Sequence, residues 1–146
     1  MMVSFNVEDG RTVPEIVRCL AEQNYEESGV LQVFFNLNVK ESLYVNNPDV
    51  RVYTMRDLEE LIGYAVYFIT EHPHFAGVKM AFNDVIYIKK EYRKIHAADF
   101  FMFCESNLDD GVQVIQHGMN YDQPHSKLME SLGYTPAEIM YSKVIS

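Results

Sequence analysis

Nine consecutive residues, Leu61-Ile62-Gly63-Tyr64-Ala65-Val66-Tyr67-Phe68-Ile69, carry no charged side chain. A strand repeats every second residue, so such a run presents apolar groups on both faces. It is far too short to cross a bilayer as a helix. The segment therefore calls for a central place in a sheet with a covering layer on each side.

The flanking sequence supplies those partners. Asn46-Asn47-Pro48-Asp49 is a strong turn signal, and Val50 to Met55 alternates as a strand that leads through the polar connector Arg56 to Glu60 into the apolar run, forming a hairpin. Beyond the loop around His72-Pro73-His74, Lys79 to Lys89 reads as another long strand. Met2 to Val7 alternates, with Val3, Phe5 and Val7 on one face, until Asp9-Gly10 breaks it. Val112 to His117 and Ala137 to Ile145 bring the expected strands to about six.

Helical spacing occupies the intervals. Thr12 is expected to cap a helix in which Glu15 completes a Thr-x-x-Glu box, Pro14 lies in the first turn, and Val13, Ile16, Val17 and Leu20 recur to an end near Asn24. Ser28 to Asn47 suits one or two short helices better than a strand. From about His96 to Leu108, the residues Ala97, Phe101, Cys104 and Leu108 form a stripe, with Gly111 placed to stop it. Pro124 to Leu132 reads as a short helix closed by Gly133. This order predicts a mixed α/β (α+β) domain, one unit over 1–146, with a central twisted mixed sheet flanked by helices.

Composition narrows the function classes. Twelve Lys and Arg stand against 21 Asp and Glu, a net charge of −9, which argues against a nucleic-acid binder needing surplus cations for phosphate contacts. No basic leader or long apolar run gives a membrane role. Cys19 and Cys104 lie far apart in apolar helical patterns and read as reduced core residues, which places the chain in the cytoplasm. His72 and His74 share a strand face, but no third ligand stands at recognisable spacing, so no metal is expected. Against the acidic background, Lys89-Lys90-Glu91-Tyr92-Arg93-Lys94 holds four cations where a strand runs into a helix. Unpaired helix N–H groups at such a junction favour an anion, typically a phosphate.

Three segments in order, Leu61-Ile62-Gly63-Tyr64, Asn83-Asp84-Val85-Ile86-Tyr87-Ile88 running into Glu91-Tyr92-Arg93, and Leu132-Gly133-Tyr134 followed by Met140-Tyr141-Ser142-Lys143, carry a family likeness. Over Leu61 to Ile145 the chain resembles the GNAT superfamily of acyl-CoA-dependent N-acetyltransferases, and among them the short members encoded by bacteriophages, in a host cytoplasm. The first sixty residues match only as substrate-side helices. The resemblance implies acetyl-CoA as co-substrate. Its pantetheine arm would pair with the backbone of Val85, Ile86, Tyr87 and Ile88, and its pyrophosphate would lie on a loop mapped to Arg93, Lys94, Ile95, His96, Ala97 and Ala98, where His96 replaces the family's first glycine. It implies oxyanion stabilisation by a backbone N–H of Tyr87 or Ile88. A base is needed to take a proton from the acceptor ammonium, and Asp84 or His74 is chosen from a set that includes Glu71 and His72. The family's acid tyrosine maps to Met129, so that Tyr121, Tyr134 or Ser126 would substitute, or the thiolate would leave unaided. Tyr25, Phe34, Phe35 and Tyr44 fall where an acceptor pocket would be lined. The acceptor expected is an amine of a protein or a small molecule, such as a polyamine or aminoglycoside-like cation, favoured by the acidic surface. An exposed Ala137 to Ile145 strand could pair between two copies as a homodimer. The rival expectation, motivated by His96, Met129 and the acidity, is a catalytically silent fold that binds a host or partner protein.

Overall fold

The apolar run lies within β3 (Glu60–Glu71), the middle strand of five. In the computed structural model, which describes residues 1–28, 31, 34–119 and 126–145, the sheet order is β1 (Val3–Glu8), β2 (Val50–Asp57), β3, β4 (Lys79–Ile88) and β5 (Val112–His117). All neighbours are antiparallel except β4 and β5, which run parallel. That pair is joined by the long helix α4 (Lys90–Ser106), as a parallel crossover requires. The mixed sheet with helices on its faces is the expected fold class. The sixth strand is not formed: residues 134–145 have no regular structure.

Both faces of β3 are covered. On one face Tyr53, Met55, Ala65, Tyr67 and Ala81 pack with Phe100 and Cys104 of α4. On the other, Val52, Leu61, Tyr64, Val66 and Tyr87 pack with Val13, Ile16 and Leu20. The second layer comes from a helical stretch that opens with a 3₁₀ turn (Gly10–Thr12), becomes α1 (Val13–Ile16), widens to a π turn (Val17–Ala21) and ends as α2 (Glu22–Ser28). Its cap is Asp9, whose side chain accepts from the Arg11 N–H at 2.8 Å, not Thr12. Thr12 already has helical dihedrals and donates to Glu8 instead, while Glu15 is drawn to Arg56. Cys104 is buried as expected; Cys19 is exposed on the π turn.

Of the stretch expected to hold one or two short helices, residues 29, 30, 32 and 33 lie outside the described residues; 34–41 form no helix, and the short α3 (Ser42–Val45) follows. It is held close by Gly10, where a Cβ would lie 1.9 Å from the Tyr44 carbonyl oxygen. The missing side chain lets the two backbones meet, which fixes where Tyr44 sits.

One irregularity shapes the functional end. Val66 pairs with Val85 but Tyr67 pairs with Asn83, so Asp84 is an extra residue bulged out of β4. The buried Asn83 amide donates to the carbonyls of Val66 (3.2 Å) and Val85 (3.0 Å), bracketing the bulge. Pairing between β4 and β5 stops at Asn83 and His117. At the other end Asp109 accepts from Arg51 (2.6 Å) and Lys79 (3.3 Å), and these cations hold its carboxyl down at about 2. The two strands are thus tied at the Lys79 end, and their pairing ends at Asn83 and His117.

Replacing Asn83 by Leu removes the donor that brackets the bulge while keeping four side-chain heavy atoms branched at Cγ. Urea unfolding of Asn83→Leu should show a loss of about 1–3 kcal/mol, and unchanged stability would show that the amide does not hold the bulge.

Candidate functional site

A cleft of about 1110 Å³ runs from the α1 and α2 side of the sheet, past β4, to the start of α4. The bulge residue Asp84 sits in its wall together with Val85, Ile86, Tyr87 and Ile88. Beyond Asn83 this edge of β4 pairs with no residue of β5. N–H and C=O groups along such an edge need partners, and an extended chain laid beside it can supply them.

The wall on the helical side is rich in tyrosine. Tyr25, Tyr44, Tyr64 and Tyr87 all line the cleft. The Tyr44 hydroxyl donates to Asp84 Oδ2 at 2.8 Å, and the buried Tyr64 hydroxyl accepts from Asn24 Nδ2 at 3.0 Å. Burial, then the neighbouring Asp84 charge, push the Tyr44 hydroxyl far above the ordinary tyrosine value. Tyr44 therefore stays a proton donor to Asp84 at neutral pH. The Asp84 carboxyl is open to the cleft on one side, yet the protein around its other sides raises its pKa above the usual carboxylate range, the bond from Tyr44 offsetting part of that rise. A carboxylate shifted this way is a better proton acceptor near neutral pH than an exposed one.

Positive charge gathers at the opposite end. α4 begins at Lys90, with Lys89 extended before it and making no side-chain cap; the Tyr92 N–H is taken by the Lys89 carbonyl at 2.9 Å. Lys90, Arg93, Lys94 and Ala97 line the cleft from successive turns of that helix. Arg93 is a bridge: its Nε donates to the Ile88 carbonyl and its Nη2 to Glu27 Oε1, both at 2.6 Å, with the guanidinium 5.3 Å from the centre of the Tyr87 ring. The Tyr87 hydroxyl donates to the other Glu27 oxygen at 2.5 Å. Burial alone would raise the Glu27 carboxyl, but the bonds from Tyr87 and Arg93 outweigh it and hold the pKa low.

The sequence-predicted residues divide accordingly. Asp84, Val85, Ile86, Tyr87, Ile88, Arg93, Lys94 and Ala97 meet in one cleft. Ile95, His96 and Ala98 are not among the residues lining it, because α4 starts at Lys90 and Arg93 to Ala98 are helix, not loop. His96 faces away, with its ring 6.5 Å from Phe5 and 6.4 Å from Tyr92. The glycine it replaces is thus no obstacle at the anion end; the first-turn amides belong to residues nearer Lys90. His74 lies in the β3–β4 turn, its backbone N–H bonded to His72, roughly 20 Å along the strand from Asp84. It is too far to share the site. Tyr121 lies outside the described residues. Met129 is buried, Tyr134 donates to Glu105 at 2.7 Å, and Ser126 is exposed at the start of α5 (Ser126–Ser131). Sequence reasoning missed Asn24, Glu27, Tyr64 and Phe82, which line the cleft. Among the described residues no group of three or more His, Cys, Asp or Glu could hold a metal ion, and no helix is long and apolar enough to cross a membrane.

No protein-family model matches the chain, and no curated protein matches it in sequence. Solved structures do match in fold. The aminoglycoside acetyltransferase meta-AAC0020 from an uncultured soil metagenomic sample, in complex with trehalose, is 10 % identical with a TM-score of 0.75, over 99 % of this chain and 96 % of that one. A ribosomal-protein-alanine N-acetyltransferase from Brucella melitensis biovar Abortus 2308 is 14 % identical, TM-score 0.70, over 99 % and 100 %. A predicted acetyltransferase from Clostridium acetobutylicum, solved with acetyl-CoA, is 10 % identical, TM-score 0.72, over 98 % and 96 %. The chain has the fold of these GNAT-type acetyltransferases.

The raised pKa of Asp84 carries a stability consequence. Its folded form holds a proton more tightly than its unfolded form, so its ionisation works against folding. Wild-type stability should fall as pH rises above the ordinary value of 3.8. Asp84→Asn cannot ionise and keeps an acceptor for Tyr44. Thermal melts across this range should find the variant gaining on the wild type as pH rises, and a gap that does not widen would contradict the shift.

Proposed function

We propose that the chain is an N-acetyltransferase, one domain over 1–146, that moves the acetyl group of acetyl-CoA to an amine. The carrying observation is that a single cleft holds the open β4 edge, a cationic helix start and a carboxylate set in a tyrosine wall. The residues present fit that co-substrate. An extended amide-bearing arm suits the β4 backbone at 84–88, which pairs with no residue of β5, and a pyrophosphate suits the first turn of α4, which has no side-chain cap, beside Lys90 and Lys94. The fold shared with acetyltransferases supports the same reading.

When bound, acetyl-CoA supplies a thioester whose carbon–sulfur bond is exchanged for an amide, the electron pair leaving on sulfur. The chain's groups do the rest. Asp84 takes one proton from the acceptor ammonium, which has a pKa near 10.4 if it is lysine-like and is otherwise no nucleophile. Backbone N–H groups on the open edge of β4 stabilise the negative charge that develops on the carbonyl oxygen. The amide nitrogen sheds its second proton to the departing sulfur, whose thiol pKa is near 8.5 for an ordinary cysteine-like group. Among the described residues, Met129 is buried and Tyr134 is turned to Glu105, and neither lines the cleft. Arg93 must exchange Glu27 or Ile88 for phosphate if it is to take part.

Calorimetric titration of acetyl-CoA and desulfo-CoA tests this reading. Micromolar binding is expected, weakened about tenfold or more in Lys90→Glu/Lys94→Glu and at raised salt. Absence of binding at millimolar ligand would overturn the enzyme reading in favour of a fold kept for protein interaction.

A further inference from the structure

The mouth of the acceptor side has a feature that a small-molecule enzyme does not need. Leu31 and Val39 line the cleft, and the N–H groups of Phe34 and Phe35 both donate to the Leu31 carbonyl, at 2.9 and 3.1 Å. The turn presents Leu31, Phe34, Phe35, Leu37 and Leu43 to solvent at 45, 62, 57, 37 and 52 % exposure, beside the tyrosine wall. Contiguous exposed apolar groups rimmed by polar ones mark surfaces that bind macromolecules. The rim here has a sign: from Glu22 to Asp49 the chain carries five acidic residues and a single lysine.

We infer, resting on the acetyl-transfer reading, that the acceptor is a lysine side chain of a basic polypeptide that docks on the Leu31 to Leu43 rim. The two components of the surface select it jointly. A free polyamine or aminoglycoside satisfies the carboxylates but leaves Phe34 and Phe35 in water. A basic segment with apolar residues covers both rings while its cations meet Glu22, Glu26 and Glu41. Beneath the rim, Tyr25, Tyr44 and Tyr64 give aromatic walls for a four-methylene stem and a cationic tip, and Asp84, bonded to Tyr44, lies where the tip's proton must go. The fold relatives act on small cations in one case and on a ribosomal protein in another, so the fold leaves this choice open.

The test uses a fluorescent, end-capped peptide of mixed lysine and leucine, the full-length protein, and the variant Phe34→Ser/Phe35→Ser, whose two rings are exposed. Anisotropy should show the wild type binding the peptide and the variant binding it about tenfold more weakly. With acetyl-CoA present, the variant should raise the KM for the peptide with kcat and acetyl-CoA affinity unchanged. Equal binding by the two proteins would overturn the proposal. So would preferred acetylation of spermidine or kanamycin, preferred acetylation of a lysine-free peptide with an open N-terminus, or a dimer by light scattering that the variant dissociates without any peptide bound. Failure of acetyl-CoA to bind would overturn the acetyl-transfer reading instead, and the anisotropy would still decide the docking surface.

Discussion

The amide of Asn83 holds the sheet in the shape on which the cleft depends. A regular β4 would keep its register with β3 and continue alongside β5. The extra residue at Asp84 bends the strand, and the two bonds from Asn83 to the Val66 and Val85 carbonyls supply partners beside a locally disrupted ladder. Three consequences follow from this one distortion. Pairing of β4 with β5 ends at Asn83 and His117, residues 84 to 88 pair with no residue of β5, and the Asp84 side chain enters the cleft wall. The clamp of Arg51 and Lys79 on Asp109 keeps the opposite ends together, so the divergence is directed to one end of the sheet.

The cleft is electrostatically two-ended. Lys90, Arg93 and Lys94 gather at the helix start, while Asp84 and Glu27 stand among tyrosines on the other side. Arg93 crosses between these ends, joining Ile88 on β4, Glu27 on α2 and the ring of Tyr87. This contact couples the helical cover to the anion end.

The parts of the fold legible in the sequence were those written in periodicity. β2, β3, β4 and β5 and their hairpins follow alternation and turn residues, and the apolar run forecast its own central place. Legibility failed where a local signal had a tertiary competitor. Thr12 and Glu15 spell a capping box, yet Glu8 and Arg56 capture their side chains. The Arg93 to Ala98 stretch was aligned as a loop, although without a glycine it continues a helix that begins at Lys90. The segment Ala137 to Ile145 has strand composition but finds no strand partner among the described residues. His74 seemed to belong beside Asp84 because both flank one hairpin; strand length separates them.

By itself the sequence determined that a doubly covered sheet must form, that its β4-to-helix junction is basic in an acidic chain, and that Asp84 sits shortly before it. These are properties of composition and spacing, which neighbours in sequence decide. Only the tertiary structure decided that Asp84 meets Tyr44, that Glu27 meets Arg93 and Tyr87, and that His96 turns away toward Phe5. Those contacts join residues 40, 66 and 60 positions apart, and which of them meet depends on a single added residue in one strand. A one-residue shift of register reverses the face of every side chain that follows, and no local pattern records it.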